Sequence, residues 1–125
     1  MRIKSRKWLI RNLDKLIADR AKRMAGKYCD FCHLRGKPRE PVTDCFHFLS
    51  RAHFSSRWVS GNTWASCSGC NIRYEQDADF VPKIIQWYQD KWGQECWDKI
   101  CRLYHEAQPF TTVMLRELWE NLSHD

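Results

Sequence analysis

The sequence predicts an α+β chain, mostly helical, in which a short β segment lies between two C-x-x-C pairs. A basic helix precedes that segment and a helical tail follows it. Three observations carry this expectation. "CDFC" at Cys29–Cys32 and "CSGCN" at Cys67–Asn71 bracket an interval rich in β-branched and aromatic residues, and the apolar period outside the bracket is that of helices. The 125 residues suffice for one domain with a modest core, divided here into a basic helix (1–27), a cysteine-anchored centre (28–78) and a helical tail (79–125) packed on it.

Ser5 is a suitable N-cap, and Leu9, Leu13, Leu16, Ile17, Ala21 and Met24 recur at helical spacing until Gly26 stops the element. Gly36, Pro38 and Pro41 then rule out a regular helix after the first cysteine pair. Val42 to Leu49 reads as a strand, with Cys45, His47 and Leu49 on one face and Asp44, Phe46 and Phe48 on the other. Gly61-Asn62 reads as a hairpin turn between strand residues Trp58, Val59 and Thr63, Trp64. A helix follows from about Cys67 through Tyr74. Another spans Phe80 to Trp92, with Pro82 in its first turn and Gly93 as its stop. A third runs from Gln94 to Gln108 and ends at Pro109. The last is capped by Thr111 or Thr112 and carries Val113, Leu115, Leu118, Trp119 and Leu122. The aromatics Trp87, Tyr88, Trp92, Trp97, Tyr104 and Trp119 are expected in the core.

The charge is uneven. Residues 1–27 hold ten Lys or Arg against Asp14 and Asp19, whereas the other 98 residues hold eleven basic and thirteen acidic side chains, so the net +6 originates at one end. A basic helix beside a near-neutral body is the electrostatic footprint of phosphate binding. DNA is the expected partner, with Arg6, Lys7, Arg11, Lys15, Arg23 and Arg57 as contacts. No run approaches the ~18 apolar residues of a membrane span, and no membrane partner is expected.

Seven cysteines are an odd set for a disulfide framework and fit a reducing, cytoplasmic setting. Two C-x-x-C pairs supply the four thiolates of a tetrahedral structural zinc site, so Cys29, Cys32, Cys67 and Cys70 are assigned to Zn2+. Cys45, Cys96 and Cys101 are read as buried or half-buried packing residues, and His33 as a surface side chain. Between the knuckles lie Asp44, His47, Arg51, His53, Arg57 and Asn62, with Asn71 just beyond. A strand histidine, an asparagine in the following hairpin and a polar residue at the head of the next helix are the parts of a ββα-metal nuclease site.

The stretch "CDFC … CFHFLSR … N … CSGCN" resembles the HNH superfamily, and within it is most similar to the phage lambda NinG (Rap) recombination-protein family. His47-Phe48, Ser50-Arg51, Asn62, Cys67, Cys70 and Asn71 carry the likeness, which covers about residues 28 to 122. "WYQDKWGQE" and "LRELWENL" resemble that family's helical tail less specifically. The resemblance implies a zinc-stapled ββα-metal (HNH) core and a DNA endonuclease acting on branched recombination intermediates, in the host bacterial cytosol if phage-encoded. It also suggests a homodimer.

By that resemblance His47 is the general base, Asn62 ties the hairpin and holds the base, and Arg51 clamps a phosphate oxygen. Asn71 becomes a ligand of a catalytic Mg2+ or Mn2+. Many HNH enzymes carry an acidic ligand immediately before the base, where this chain has Phe46. Asp44, Asp77 and His53 are the candidates for the second ligand. Two other functions compete with the enzyme. One is a non-catalytic zinc-stabilised module that binds nucleic acid or protein. The other is a regulatory protein that docks through its tryptophan-rich helices.

Overall fold

The computed structural model describes residues 3–106 and 109–124. Helix α1 (Arg6–Ala25) starts where the Ser5 hydroxyl accepts the Trp8 amide at 3.1 Å. It stops at Gly26, whose φ of 88° a side chain would strain. Its apolar stripe buries Leu9, Leu13, Ile17 and Ala21, but Met24 departs from the expected core and is 67% exposed. Position 24 shares the face of Leu13 and Ile17 but lies in the last turn, one residue before the helix ends at Ala25.

The sheet has two antiparallel strands, β1 (Asp44–His47) and β2 (Thr63–Ser66), in the register Asp44↔Ser66, Cys45↔Ala65, Phe46↔Trp64 and His47↔Thr63. The strand expected over 42–49 is therefore shorter at both ends. The Val42 amide turns to the Lys27 carbonyl, and at the other end the Asn62 side chain takes both the amide and the carbonyl of Leu49. Beyond the last backbone bond, from Phe48 N–H to the Asn62 carbonyl at 3.0 Å, a side-chain amide thus continues the pairing.

The expected Gly61-Asn62 hairpin is not formed, and Trp58 and Val59 are not in a strand. The chain leaves β1 through a loop containing the four-residue helix α2 (Phe54–Arg57), and Ser60–Asn62 form a 3-10 turn leading into β2. Gly61 is needed for closeness rather than for a turn: a Cβ there would lie 3.2 Å from the Tyr88 hydroxyl, which donates to the Gly61 carbonyl at 2.7 Å.

Helices α3 (Ser68–Gln76), α4 (Val81–Trp92), α5 (Gln94–His105) and α6 (Thr112–Ser123) follow. Gly93 breaks the chain between α4 and α5 at φ 93°, as expected, and Thr111 is the cap of α6. Helix α5 ends at His105, with Glu106 extended as its cap, short of the expected Gln108; residues 107 and 108 lie outside the described residues.

Two apolar clusters hold these elements. One joins the cysteine knuckles to Phe31, Phe46, Phe48, Trp64, Phe80, Ile84, Tyr88 and Ile100, with Trp87, Trp92 and Trp97 packed around it. The other joins Leu9, Leu13 and Ile17 of α1 to Trp58 and Leu115, with Trp8 and Trp119 meeting edge to face at 5.1 Å. Strand β2 is buried along its whole length between α1 and the aromatic cluster, and its small Ala65, on the face opposite Trp64, leaves room for α1. Val113 of α6 faces outward, 57% exposed. Among the described residues no helix is long and apolar enough to cross a membrane.

Candidate metal centre and cleft

Phe31 N–H donates to Cys29 Sγ at 3.3 Å, Glu40 N–H to Cys32 Sγ at 3.4 Å and Cys70 N–H to Cys67 Sγ at 3.4 Å. These bonds aim the sulfurs inward and offset thiolate charge. All four Sγ atoms lie within 4.8 Å of one another and all four cysteines are buried. The Cys32–Cys67 and Cys32–Cys70 sulfurs are 3.6 and 3.9 Å apart. A tetrahedron with Zn–S near ~2.3 Å requires sulfurs about 3.8 Å apart, so the quartet fits Zn2+. The thiols also share protons unequally. The Cys70 hydrogen bond pulls Cys29 down to about 5, the same bond pushes Cys70 up, and burial raises Cys32. A bound cation would replace those protons. Arg35 adds a charged donor, its Nη1 3.6 Å from Cys70 Sγ. Gly69 makes room for it, because a Cβ there would sit 3.1 Å from the guanidinium.

On the other side of β1, a cleft of about 930 Å³ opens between α1, the strand, the following loop and α3. Asp14, Asp44, Cys45, His47, Arg51, Asn71 and Glu75 line it. Phe46 and Phe48 turn into the aromatic core, so alternation sends Cys45 and His47 toward the cleft. Asp44 was expected on the opposite face from His47. At the strand's first position it instead reaches round to α3, where Asn71 Nδ2 donates to its Oδ2 at 3.1 Å. Burial, aided by the Arg51 charge, lowers the His47 pKa to about 4, against the pull of a hydrogen bond to the Arg57 backbone and of Asp14. The ring is therefore neutral at pH 7. Burial raises Cys45 to about 11, leaving it a protonated wall residue.

Asn62 is fully buried and does not line the cleft. Its Oδ1 accepts the Leu49 amide at 2.7 Å, while Nδ2 donates to the Leu49 carbonyl at 3.0 Å and the Ser56 carbonyl at 3.2 Å. It fixes the loop that carries Ser50 and Arg51. The Tyr74 hydroxyl donates to the Phe48 carbonyl and pins that loop to α3.

Three expected roles are not met by position. Asp77 lies in a different cleft with Arg35, Lys37 and Arg73, because residues 71, 74 and 75 face one side of α3 and residues 73 and 77 another. The His53 ring stacks on Tyr104 with centroids 4.2 Å apart and is not in the wall of the His47 cleft. Arg57, expected to contact DNA, is committed to Asp14 through Nε–Oδ1 at 3.0 Å and Nη2–Oδ2 at 2.6 Å. The Trp58 indole donates to the same carboxylate at 2.9 Å.

Arg6 donates to the Phe110 carbonyl at 2.7 Å, whereas Lys7, Arg11, Lys15 and Arg23 are exposed along α1, with Lys15 at the cleft's edge. Lys15 also forms a solvent-exposed pair with Asp19 at 3.6 Å. Cys45 and Cys101 are half-buried, but Cys96 is exposed rather than packed. His33 is exposed. Asp14, Tyr74 and Glu75 are cleft residues that the sequence reading missed. Asp14 was an acid within a basic helix, and Glu75 stands one turn after Asn71.

Among the described residues, the four cysteines alone form a group of three or more His, Cys, Asp or Glu side chains close enough to share an ion. Comparison with protein-family models, curated proteins and solved structures finds no match.

Proposed function

We propose that the chain is a divalent-metal-dependent DNA endonuclease of HNH type, held rigid by a structural zinc. The single observation carrying this is that His47, Arg51, Asp44 and Asn71 converge on one cleft. A neutral histidine is the form that accepts a proton, so His47 would take one from water attacking a phosphodiester in line. Arg51 presents a fork of donors to a non-bridging phosphate oxygen. Asn62 and Tyr74 position the loop between these groups and α3. Asp44 and Asn71, side by side, offer a carboxylate and a side-chain carbonyl, a donor pair suited to Mg2+ or Mn2+, which keep most of their waters. When bound, that ion supplies charge stabilisation at the leaving oxygen.

The exposed cations of α1 would lie along the backbone beside the scissile phosphate. The test is cleavage of linear, nicked and four-way DNA with Mg2+ or Mn2+. Wild type is expected to cut, and His47→Ala to bind without cutting while keeping its zinc. A zinc-loaded wild type that binds all three and cuts none would refute the enzyme.

One observation favours the alternative of a non-catalytic zinc-stabilised binding module: among the described residues, the cleft holds no group of three His, Cys, Asp or Glu side chains close enough to share an ion. That module would bind DNA equally well with and without Mg2+ and yield no nicks.

A further inference from the structure

Across α3 from the His47 cleft lies a second, shallower one of about 440 Å³, lined by Arg35, Lys37, Arg73 and Lys83 with Asp77 and Asp79. We propose that this cleft is a second binding site for the phosphate backbone of a nucleic acid, resting on the DNA-binding part of the function above.

Four cations face two carboxylates here, and no ion pair neutralises any of the four among the described residues. Asp77 is turned inward on its own chain, where its Oδ1 accepts the Asp79 amide at 2.9 Å. Arg35 is held in place by Cys70 Sγ, and Lys83 Nζ rests 3.5 Å from the Leu34 carbonyl. The cations therefore come from three separate elements: the first zinc knuckle, α3 and the first turn of α4. The knuckle anchors them around one concavity. Like charges gathered this way repel unless an anion bridges them, and a chain of phosphates offers several anions at once.

A phosphate backbone is favoured over an acidic peptide for two reasons. The forked Arg73 donors match phosphate oxygens two at a time, with Lys37 and Lys83 as point charges beside them. The site also shares α3 with the proposed nuclease cleft, about one helix width of ~10 Å away.

The test compares two zinc-loaded triple variants by fluorescence anisotropy on one labelled duplex across a salt series. Lys37→Ala/Arg73→Ala/Lys83→Ala empties the cleft of exposed positive charge and leaves Arg35 on the zinc site. Lys27→Ala/Lys99→Ala/Arg102→Ala removes equal charge from exposed positions outside it. Zinc content and melting temperature report folding of both.

The first triple is expected to flatten the slope of log K against log salt by about 2–3, at ~0.9 per phosphate contact, and to weaken binding about tenfold or more. The second should change the slope by less than ~1. Equal effects of the two, or no effect of the first, would overturn the site. So would loss of poly-glutamate binding in the first triple with DNA binding intact. If wild type binds with this dependence but cuts nothing, the endonuclease fails and the site stands. If wild type cuts through His47 and the first triple binds and cuts like wild type, the site fails and the endonuclease stands.

Discussion

Replacing Asn62 by alanine removes the side chain that continues the pairing beyond the end of the sheet. Three hydrogen bonds are lost: Leu49 N–H to Oδ1 at 2.7 Å, and Nδ2 to the carbonyls of Leu49 at 3.0 Å and Ser56 at 3.2 Å. At about 1 kcal/mol net each, these account for about 3 kcal/mol. Stranding the Leu49 amide beside a fully buried site adds about 1–2 kcal/mol. The total of roughly 4–5 kcal/mol corresponds to a fall in Tm of about 15–20 °C for a domain of this size. Calorimetry or circular dichroism of zinc-loaded protein at neutral pH measures it.

Asn62→Asp separates the acceptor from the donors. It keeps the acceptor for Leu49 N–H but turns a charged oxygen toward two carbonyls, and should be at least as damaging as alanine. Since the loop carries Arg51, cleavage below the melting transition should fall as well, with zinc content unchanged. An alanine variant melting within about 2 °C of wild type would show that the loop stands without this side chain, and the positioning role would be refuted.

Other outcomes follow from the same geometry. Stripping the ion with a chelator, or Cys32→Ser, should unfold the chain, since such sites contribute on the order of 10 kcal/mol; far-UV circular dichroism and metal content report it. His47 should titrate near 4 by NMR, staying neutral from about pH 5 upward, so that cleavage loses its base only as pH falls through that value. Because the Arg51 charge depresses this pKa, Arg51→Gln should raise it; an unchanged midpoint would remove Arg51 from the ring's field. Because folding holds this group below its ordinary value of 6.5, its contribution to stability is present above that pH and declines as pH drops toward about 4. The difference between wild type and His47→Gln in urea melts isolates it. Asp14→Asn should cost about 2 kcal/mol by leaving Arg57 half-paired, and a double-mutant cycle with Arg57→Ala should recover most of that as coupling.

The helices were legible because their boundaries are local: Ser5, Gly26, Gly93 and Thr111 do their work within one turn of themselves. The cysteine quartet was legible for the same reason, since each knuckle is a local spacing. The loop after β1 was not. Gly61-Asn62 has turn chemistry, yet the glycine answers to a tyrosine hydroxyl on α4 and the asparagine to backbone groups at 49 and 56, all tertiary partners.

Asp44 was misread because alternation holds within a strand and loosens at its first residue, where α3 draws the carboxylate aside. Arg57 was misread because charge alone does not reveal a committed partner, and Asp14 sits 43 positions away. Asp77 was placed one helical face from where it was needed, a difference of two positions from Glu75.

Helix α1 has the composition of a detachable DNA-binding arm, yet it is masonry. Asp14, Lys15 and Ala18 form one wall of the His47 cleft, while Leu9, Leu13 and Ile17, roughly a third of a turn or more around the same cylinder, cover β2 and grip α6. Deleting residues 5 to 26 would therefore not yield a weaker-binding nuclease core; it would open the cleft along its length and bare the sheet. Any graft meant to alter the proposed nucleic-acid contacts could change only the outward cations, one side chain at a time.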